Sequence, residues 1–320
     1  TQQTKISFMT KFNLGICTLL LSFYSLAQVP DLQKASDKAQ QRFGPAGTKP
    51  VQKELLIPTM LVNPLIGTGG HGHTVPGVCA PFGMMQLSPD TRYDGWDGCG
   101  GYHYSDSIIY GFSHTHLSGT GVPDYGDLLI VPQSGEAKWK GKFEDPNGYG
   151  ATFSHDDEVA RLGFYEVYLK DENIRVNLSC TQRAGIHQYT FLNATEKKYV
   201  LLDLNYRDKL LKGEIQMIDK QNINGFRISE AWANQQHFYF HLSTSIPYSN
   251  YQLINQNGEL KLLLEFPIET KELLIKVGMS HVDTAGAKFN LDSEISHFSI
   301  ARVYQENQKQ WEQEFQKINV

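Results

Sequence analysis

The chain is poor in cysteine, in charge of one sign and in long apolar runs, and each shortage excludes a class of protein. Four cysteines occur in 320 residues. Cys17 falls in the N-terminal leader, which leaves Cys79, Cys99 and Cys180. That is an odd number, so at least one stays free or pairs between chains. The fold is therefore not stapled by disulfides. The formal net charge is -5, with no long run of either sign. A duplex nucleic-acid binder needs a basic face, so nucleic acid is not an expected partner. The apolar stretch at 14–26 is short for a bilayer crossing. No second stretch reaches that length, and no membrane span is expected. A phosphate loop ending in Gly-Lys-Ser/Thr is missing, as is a Gly-X-Ser-X-Gly nucleophile elbow. No internal repeat or low-complexity tract occurs.

What is present is ordinary for a globular protein, with 40% hydrophobic and 20% charged residues. Aromatics reach 12%, a level that suits β-sandwich cores and sugar-binding faces alike. Met9 and Lys11, the apolar stretch and the small residues of Ser25-Leu26-Ala27 read as a signal peptide over residues 9–27. No cysteine stands at the cleavage point to carry a lipid, so a secreted or periplasmic protein is expected. Residues 28–60 are polar and patternless and read as a flexible leader.

From residue 61 the pattern is of short strands. Candidates lie at 83–87, 127–131, 164–170, 174–178, 186–192, 199–204, 225–231, 237–243, 259–266 and 272–279. Asp171-Glu172-Asn173 and Asn257-Gly258 mark tight turns. With no alternation of helix and strand, the expected class is all-β: an antiparallel β-sandwich over residues 61–280. In the following stretch, 281–320, the residues Ile300, Tyr304, Asn307, Trp311, Phe315 and Ile318 recur at three- and four-residue steps. They predict one amphipathic linker helix over 294–318, capped by Asp292 or Ser293.

Chemistry concentrates in residues 63–127, a long, loop-rich block dense in Gly, His, Asp and aromatics. In Gly69-Gly70-His71-Gly72-His73 the two histidines alternate, and on a strand both would share a face. Asp94-Gly95-Trp96-Asp97-Gly98-Cys99 sets an aromatic ring among carboxylates on a glycine-rich backbone. That combination suits a pyranose, whose C–H face stacks on a ring while its hydroxyls seek charged partners. The competing reading makes Trp96 a core plug. His114-Thr115-His116, with Cys99 and His103, holds the residue types of a zinc site but not its usual spacing. Asp124 and Asp127 are the oxygen ligands available to calcium. Six aspartates crowd the block, yet none is marked as a glycosidase acid or base.

The runs VNPLIGTGGHGHTVPG, PFGMMQLSPDTR, YDGWDGCGGYHYSDS and GFSHTHLSGTGVPDYGDLL resemble, in order, segments of the N-terminal domain of glycoside hydrolase family 92. A looser likeness continues to VGMSHVDTAGAKFNL, so most of residues 61–320 is covered. The resemblance implies a calcium-dependent, inverting exo-α-mannosidase, secreted or surface-borne. In it an N-terminal β-sandwich is joined through helices to an (α/α)6 barrel. The barrel carries the acid, the base and most calcium ligands, and the sandwich lends loops to the pocket. This chain is expected to end where the barrel begins and to be inactive alone. Its partners are then α-mannoside glycans and that barrel. Carried over position by position, the sugar-contacting residues are Gly70, His71, Asp94, Gly95, Trp96, Cys99, His116 and Thr120. Some members have a second Trp in a WDWC form, and Gly98 stands at that place here, which leaves linkage preference open. Readings from other classes are a stand-alone carbohydrate-binding module and a structural docking domain.

Overall fold

The computed structural model describes residues 57–318, so the signal peptide and most of the leader lie outside the described residues. Seventeen strands follow in order among them: β1 (Val78–Cys79), β2 (Gln86–Asp90), β3 (Ile108–Ile109), β4 (Gly111–Ser113), β5 (Leu129–Ser134), β6 (Ala151–Thr152), β7 (Glu158–Arg161), β8 (Phe164–Leu169), β9 (Ile174–Cys180), β10 (Ala184–Phe191), β11 (Lys198–Asp203), β12 (Lys209–Met217), β13 (Asn222–Glu230), β14 (Gln236–Thr244), β15 (Asn250–Gln256), β16 (Glu259–Phe266) and β17 (Glu272–Ser280). One sheet has the order β1-β2-β4-β5-β11-β16-β15. The other runs β12-β13-β14-β17-β10-β9-β8-β7, and β3 and β6 form a small ladder. The ladders are antiparallel, as expected of a sandwich.

Period-two alternation explains how the layers pack. In the seven-stranded sheet Ile130, Val200, Leu202, Leu262 and Leu264 point into the main core between the sheets. Their neighbours Leu129, Val131, Leu201 and Leu263 point outward. They are covered there by Tyr149 and Tyr206 and by the half-buried Tyr93, Trp139 and Phe143. Both faces of these central strands are thus dry, which is why they read as continuous apolar runs. On the outer face of the eight-stranded sheet, Ala184 and Ile186 meet Leu291, Ile295, Ile300 and Val303 from the helices.

The short strands β1, β3, β4, β6 and β7 escaped the sequence pattern, as did two longer ones, β12 and β15. Each of the longer two ends its sheet, and both are mostly exposed. An edge strand facing water has little burial to impose a pattern. The Asn257-Gly258 turn was legible because both residues adopt positive φ, 56° and 81°, as a two-residue hairpin with the right twist requires. It joins β15 to β16.

The single expected helix over 294–318 is corrected to two. Helix α1 spans Thr284–Glu294 and α2 spans Ile300–Phe315. Asp283 caps α1, accepting from the Gly286 N–H at 2.6 Å. The proposed caps Asp292 and Ser293 therefore sit in the last turn of α1. Glu294 ends that helix and binds Thr181 Oγ1 and the Arg183 N–H and Nε. Lys276 donates to the Ile295 carbonyl at 2.9 Å, satisfying the end of α1 where the chain breaks. The amphipathic stripe of α2 lies against the sandwich. Asn307, fully buried, donates to the carbonyls of Cys79 and Cys180 at 3.1 and 2.9 Å. Trp311 Nε1 donates to the Cys79 carbonyl at 3.0 Å. A short 3-10 turn, Pro58–Leu61, docks on the same helix through the Thr59 N–H and Glu312.

Asn307 is thus the polar bolt of an otherwise apolar contact. Asn307→Ala should cost about 1–3 kcal/mol, since the donor to two buried carbonyls is lost. A fall of several degrees in Tm with an unchanged far-UV circular dichroism spectrum is the expected result. Asn307→Asp should be worse, because it sets an acceptor against two acceptors.

Candidate functional site

The three glycine-rich stretches singled out in the sequence come together on one face. Backbone hydrogen bonds stitch them: Gly98 N to Gly72 O, Gly119 N to His73 O and Tyr104 N to Thr68 O, at 3.3, 2.7 and 2.8 Å. His103 Nε2 contacts the Gly70 carbonyl at 2.8 Å and fixes that loop from below. Gly70, His71, Asp94, Gly95, Trp96 and Thr120 are all exposed on the resulting surface.

Trp96 is 64% exposed, which overturns the core-plug reading. Its ring is nonetheless braced. His73 meets it edge-on with centroids 5.2 Å apart. Gly121 adjoins both rings, and a Cβ there would come within 2.8 Å of the indole and 3.0 Å of His73. Holding a large apolar ring in water is unfavourable by the transfer free energy of its exposed area, so a braced, exposed indole is a ready stacking surface. His71 does not lie on a strand with His73. It turns outward and pairs with Asp97 at 2.9 Å. That hydrogen bond holds the Asp97 carboxyl below its ordinary range.

Cys99 and His116 lie beneath this surface, not on it. Cys99 is 1% exposed and its carbonyl accepts from Arg207 at 2.5 Å. His116 contacts the Gly100 carbonyl through Nδ1 at 2.6 Å and Ser113 Oγ through Nε2 at 3.1 Å. Ser113 Oγ in turn donates to Asp90 at 2.6 Å. The set contains Asp, Ser and His, but serine stands between the other two and all three are buried. It is a structural chain, since a nucleophilic serine must face both its base and the substrate.

The metal readings do not survive. His114 Nδ1 bonds the Leu128 carbonyl at 2.9 Å and its Nε2 meets His187 Nε2 at 3.1 Å. His103 is taken by Gly70 and Ser105. Asp124 accepts from the N–H groups of Tyr125 and Ala233, and Asp127 binds Thr115, Gln236 and Arg227. Among the described residues, no three or more His, Cys, Asp or Glu side chains gather into a group able to hold a cation. These side chains therefore do not fit a calcium ion.

Of the block's aspartates, Asp94 is exposed, while Asp90, Asp124 and Asp127 are buried. Burial raises the Asp90 carboxyl, which has no exposure at all. Asp106 is forked by Arg92, and Asp208 reaches about 7 through burial and then its hydrogen bond with Asp124. The residues that sequence reasoning missed are Arg207, Asp208 and Arg227. They lie 80 residues or more beyond the first of the motifs, and no local pattern announces them.

A β-sandwich that carries a loop platform with an exposed, braced tryptophan is the class of protein that fold and site define. Residues 61–280 match the glycosyl hydrolase family 92 N-terminal domain, and the chain belongs to that family. It is 32% identical over 133 residues to an uncharacterized secreted glycosidase of Arthroderma benhamiae, covering 41% of this chain and 17% of that protein. It is also similar to a family GH92 α-mannosidase of Bacteroides thetaiotaomicron solved with mannoimidazole. The identity is 30% and the TM-score 0.75, over 81% of this chain and 37% of that one. An inverting GH92 mannosidase of the same organism matches at 26% identity and TM-score 0.71, over 82% and 36%. The chain thus spans about a third of the length of these structures and less of the curated relative. No helix among the described residues is long and apolar enough to cross a membrane.

The Asp208–Asp124 pair yields a pH signature. Asp208 titrates near 7 in the folded chain against an ordinary 3.8, so folding takes up a proton between those values. The stability this group contributes is full below the lower value and is lost as pH rises through about 7. His114 acts oppositely. Burial lowers it to about 4, so its contribution is lost as pH falls from 6.5 towards 4. Asp208→Asn mimics the protonated carboxyl, accepting from Tyr125 and donating to Asp124. Its Tm should match the wild type near pH 4 and exceed it by about 2–8 °C at pH 8. A constant gap across this range contradicts the assignment.

Proposed function

We propose that this chain supplies the sandwich half of a terminal α-mannosyl pocket in an inverting, calcium-dependent exo-α-mannosidase that acts on N-glycans or mannans. The observation that carries the reading is the exposed Trp96 ring, braced by His73 and Gly121 on three converging loops. It is supported by the likeness to GH92 mannosidases, one of them solved with mannoimidazole. The ring stacks on the apolar face of the sugar, and Asp94, the His71–Asp97 pair and Thr120 orient its hydroxyls. Arg207, His116 and His103 hold the loops from behind.

Inversion needs an acid and a base about 6.5–9.5 Å apart on opposite sides of the anomeric carbon. The aspartates held above the ordinary range, Asp90 and Asp208, are buried away from the surface, so the pair is assigned to an (α/α)6 barrel that completes the pocket. Calcium belongs to that barrel as well, where it would polarise sugar hydroxyls. Export through the 9–27 leader places the enzyme outside the cytoplasm.

The test is direct. The purified chain should not hydrolyse an aryl α-mannoside, with or without calcium. Joined to a barrel it should do so, and Trp96→Ala should lower kcat/KM by tenfold or more through lost positioning. Because the ring is exposed, Tm should shift by no more than about 1–2 °C, whereas a core tryptophan cut to alanine costs about 3–5 kcal/mol. Turnover by the chain alone, abolished by changing an aspartate between 90 and 127, would place the chemistry here instead. Full activity with an unchanged Tm would make Trp96 a bystander.

A further inference from the structure

Beneath the platform, the bend between β11 and β12 threads Tyr206, Arg207 and Asp208 past both ligand loops. Arg207 is 9% exposed and sits in the left-handed region, at φ 62°. Residues other than glycine hold that conformation only where their surroundings impose it. The imposing group is Arg227 of β13. Its Nη1 and Nη2 donate to the carbonyls of Tyr206 and Asp208, at 3.0 and 3.1 Å, one on either side of Arg207. Asp208 then accepts from the Tyr125 N–H at 2.7 Å and so holds the 119–127 loop.

The side chain of Arg207 reaches both loops. Its aliphatic stem runs under Gly126, where a Cβ would come within 2.7 Å of Cδ. Its head ends at the Trp96 loop, with Nη2 donating to the Cys99 carbonyl at 2.5 Å. Beside it, the space next to Gly101 is ringed by Arg207 Nη1, Asp90 Oδ1 and His116 Nδ1, within 2.9, 2.7 and 3.1 Å of where a Cβ would stand. The Cys99–Gly101 backbone therefore rests on a charged group fixed from the opposite sheet. Trp96 sits at the near end of this segment, and the Cys99 N–H donates back to the Trp96 carbonyl at 3.3 Å.

We propose that Arg207 is a positioning residue for the Trp96 platform, setting the height and tilt of the indole through the Cys99 carbonyl. Its importance for a sugar ligand rests on the reading of the platform given above. Its effect on the loop does not.

The test uses the whole chain labelled with 5-fluorotryptophan, which places fluorine on Trp96, Trp139, Trp232 and Trp311. Each resonance is assigned by a Trp→Phe variant. Arg207→Gln should shift or broaden the Trp96 resonance while Trp311, on α2, stays in place. Arg207→Lys keeps the charge and a donor and should return Trp96 most of the way to its wild-type position. A Trp96 resonance unmoved in Arg207→Gln overturns the proposal. So does loss of all four resonances together in both variants, because that is a general failure of the fold.

Titration with methyl α-mannoside gives the second readout. A wild-type Trp96 resonance that responds to the sugar, with an affinity lowered tenfold or more in Arg207→Gln and recovered in Arg207→Lys, supports positioning for ligand. Equal affinity in wild type and Arg207→Gln overturns that role. If the wild-type resonance ignores the sugar, the platform reading falls. The Arg207 claim is then decided by the Trp96 shift alone.

Discussion

Arg227 and Asp127 face each other with neither side chain exposed, and the loop platform that carries Trp96 depends on that pair. Nε and Oδ1 lie 3.2 Å apart without a hydrogen-bonding angle, so their attraction is Coulombic. Two buried charges are costly unless their remaining polar atoms are satisfied. Here most are. The guanidinium donates to Tyr206 and Asp208, and the other carboxylate oxygen accepts from Thr115 at 2.7 Å and from Gln236. Through these bonds strands β13 and β14 of one sheet grip the bend and the loop that grow from the other. Removing one partner of such a pair costs about 3–5 kcal/mol, and in this chain the loss would fall on the segment that supports the Trp96 and 119–127 loops.

The site therefore has two storeys with opposed requirements. The upper one is exposed and carries the residues proposed to meet a sugar: Trp96, His71, Asp94 and Thr120. The lower one is dry, and each charged or polar group there has a structural task. Asp90, Ser113 and His116 form a chain under Gly100. Arg207 supports Cys99, and Asp208 with Asp124 holds the 119–127 loop to the turn after β13. A rigid lower storey keeps an exposed indole in one place without burying it. Loops on a packed scaffold are where recognition is usually found, because the scaffold supplies the precision that loops lack.

Much of the architecture was legible in the sequence. Central strands such as β11 and β16 are buried on both faces, and burial dictates apolar residues at nearly every position. The edge strands β12 and β15 were not legible, since water on most of their length leaves composition free. The helical stripe was read correctly at Ile300, Asn307 and Trp311. Its start was misplaced, because the break at 295–299 contains neither proline nor glycine. That break is set by a contact from afar, Lys276 on the Ile295 carbonyl.

For the site, the division is similar. The sequence by itself determined which residue types were available: a tryptophan among aspartates and glycines, histidines at alternate positions, and four motifs in family order. Local chemistry dictates that much, since glycine most readily permits the turns and close approaches those loops make. Only the tertiary structure decided that Trp96 faces water, that Cys99 and His116 lie behind it, and that Asp90, Asp124 and Asp127 are spent on structure. Those outcomes depend on partners such as Arg207 and Arg227, more than a hundred residues away from Cys99 and brought near by the pairing of strands. No local pattern encodes a neighbour that arrives only when two sheets close on one core.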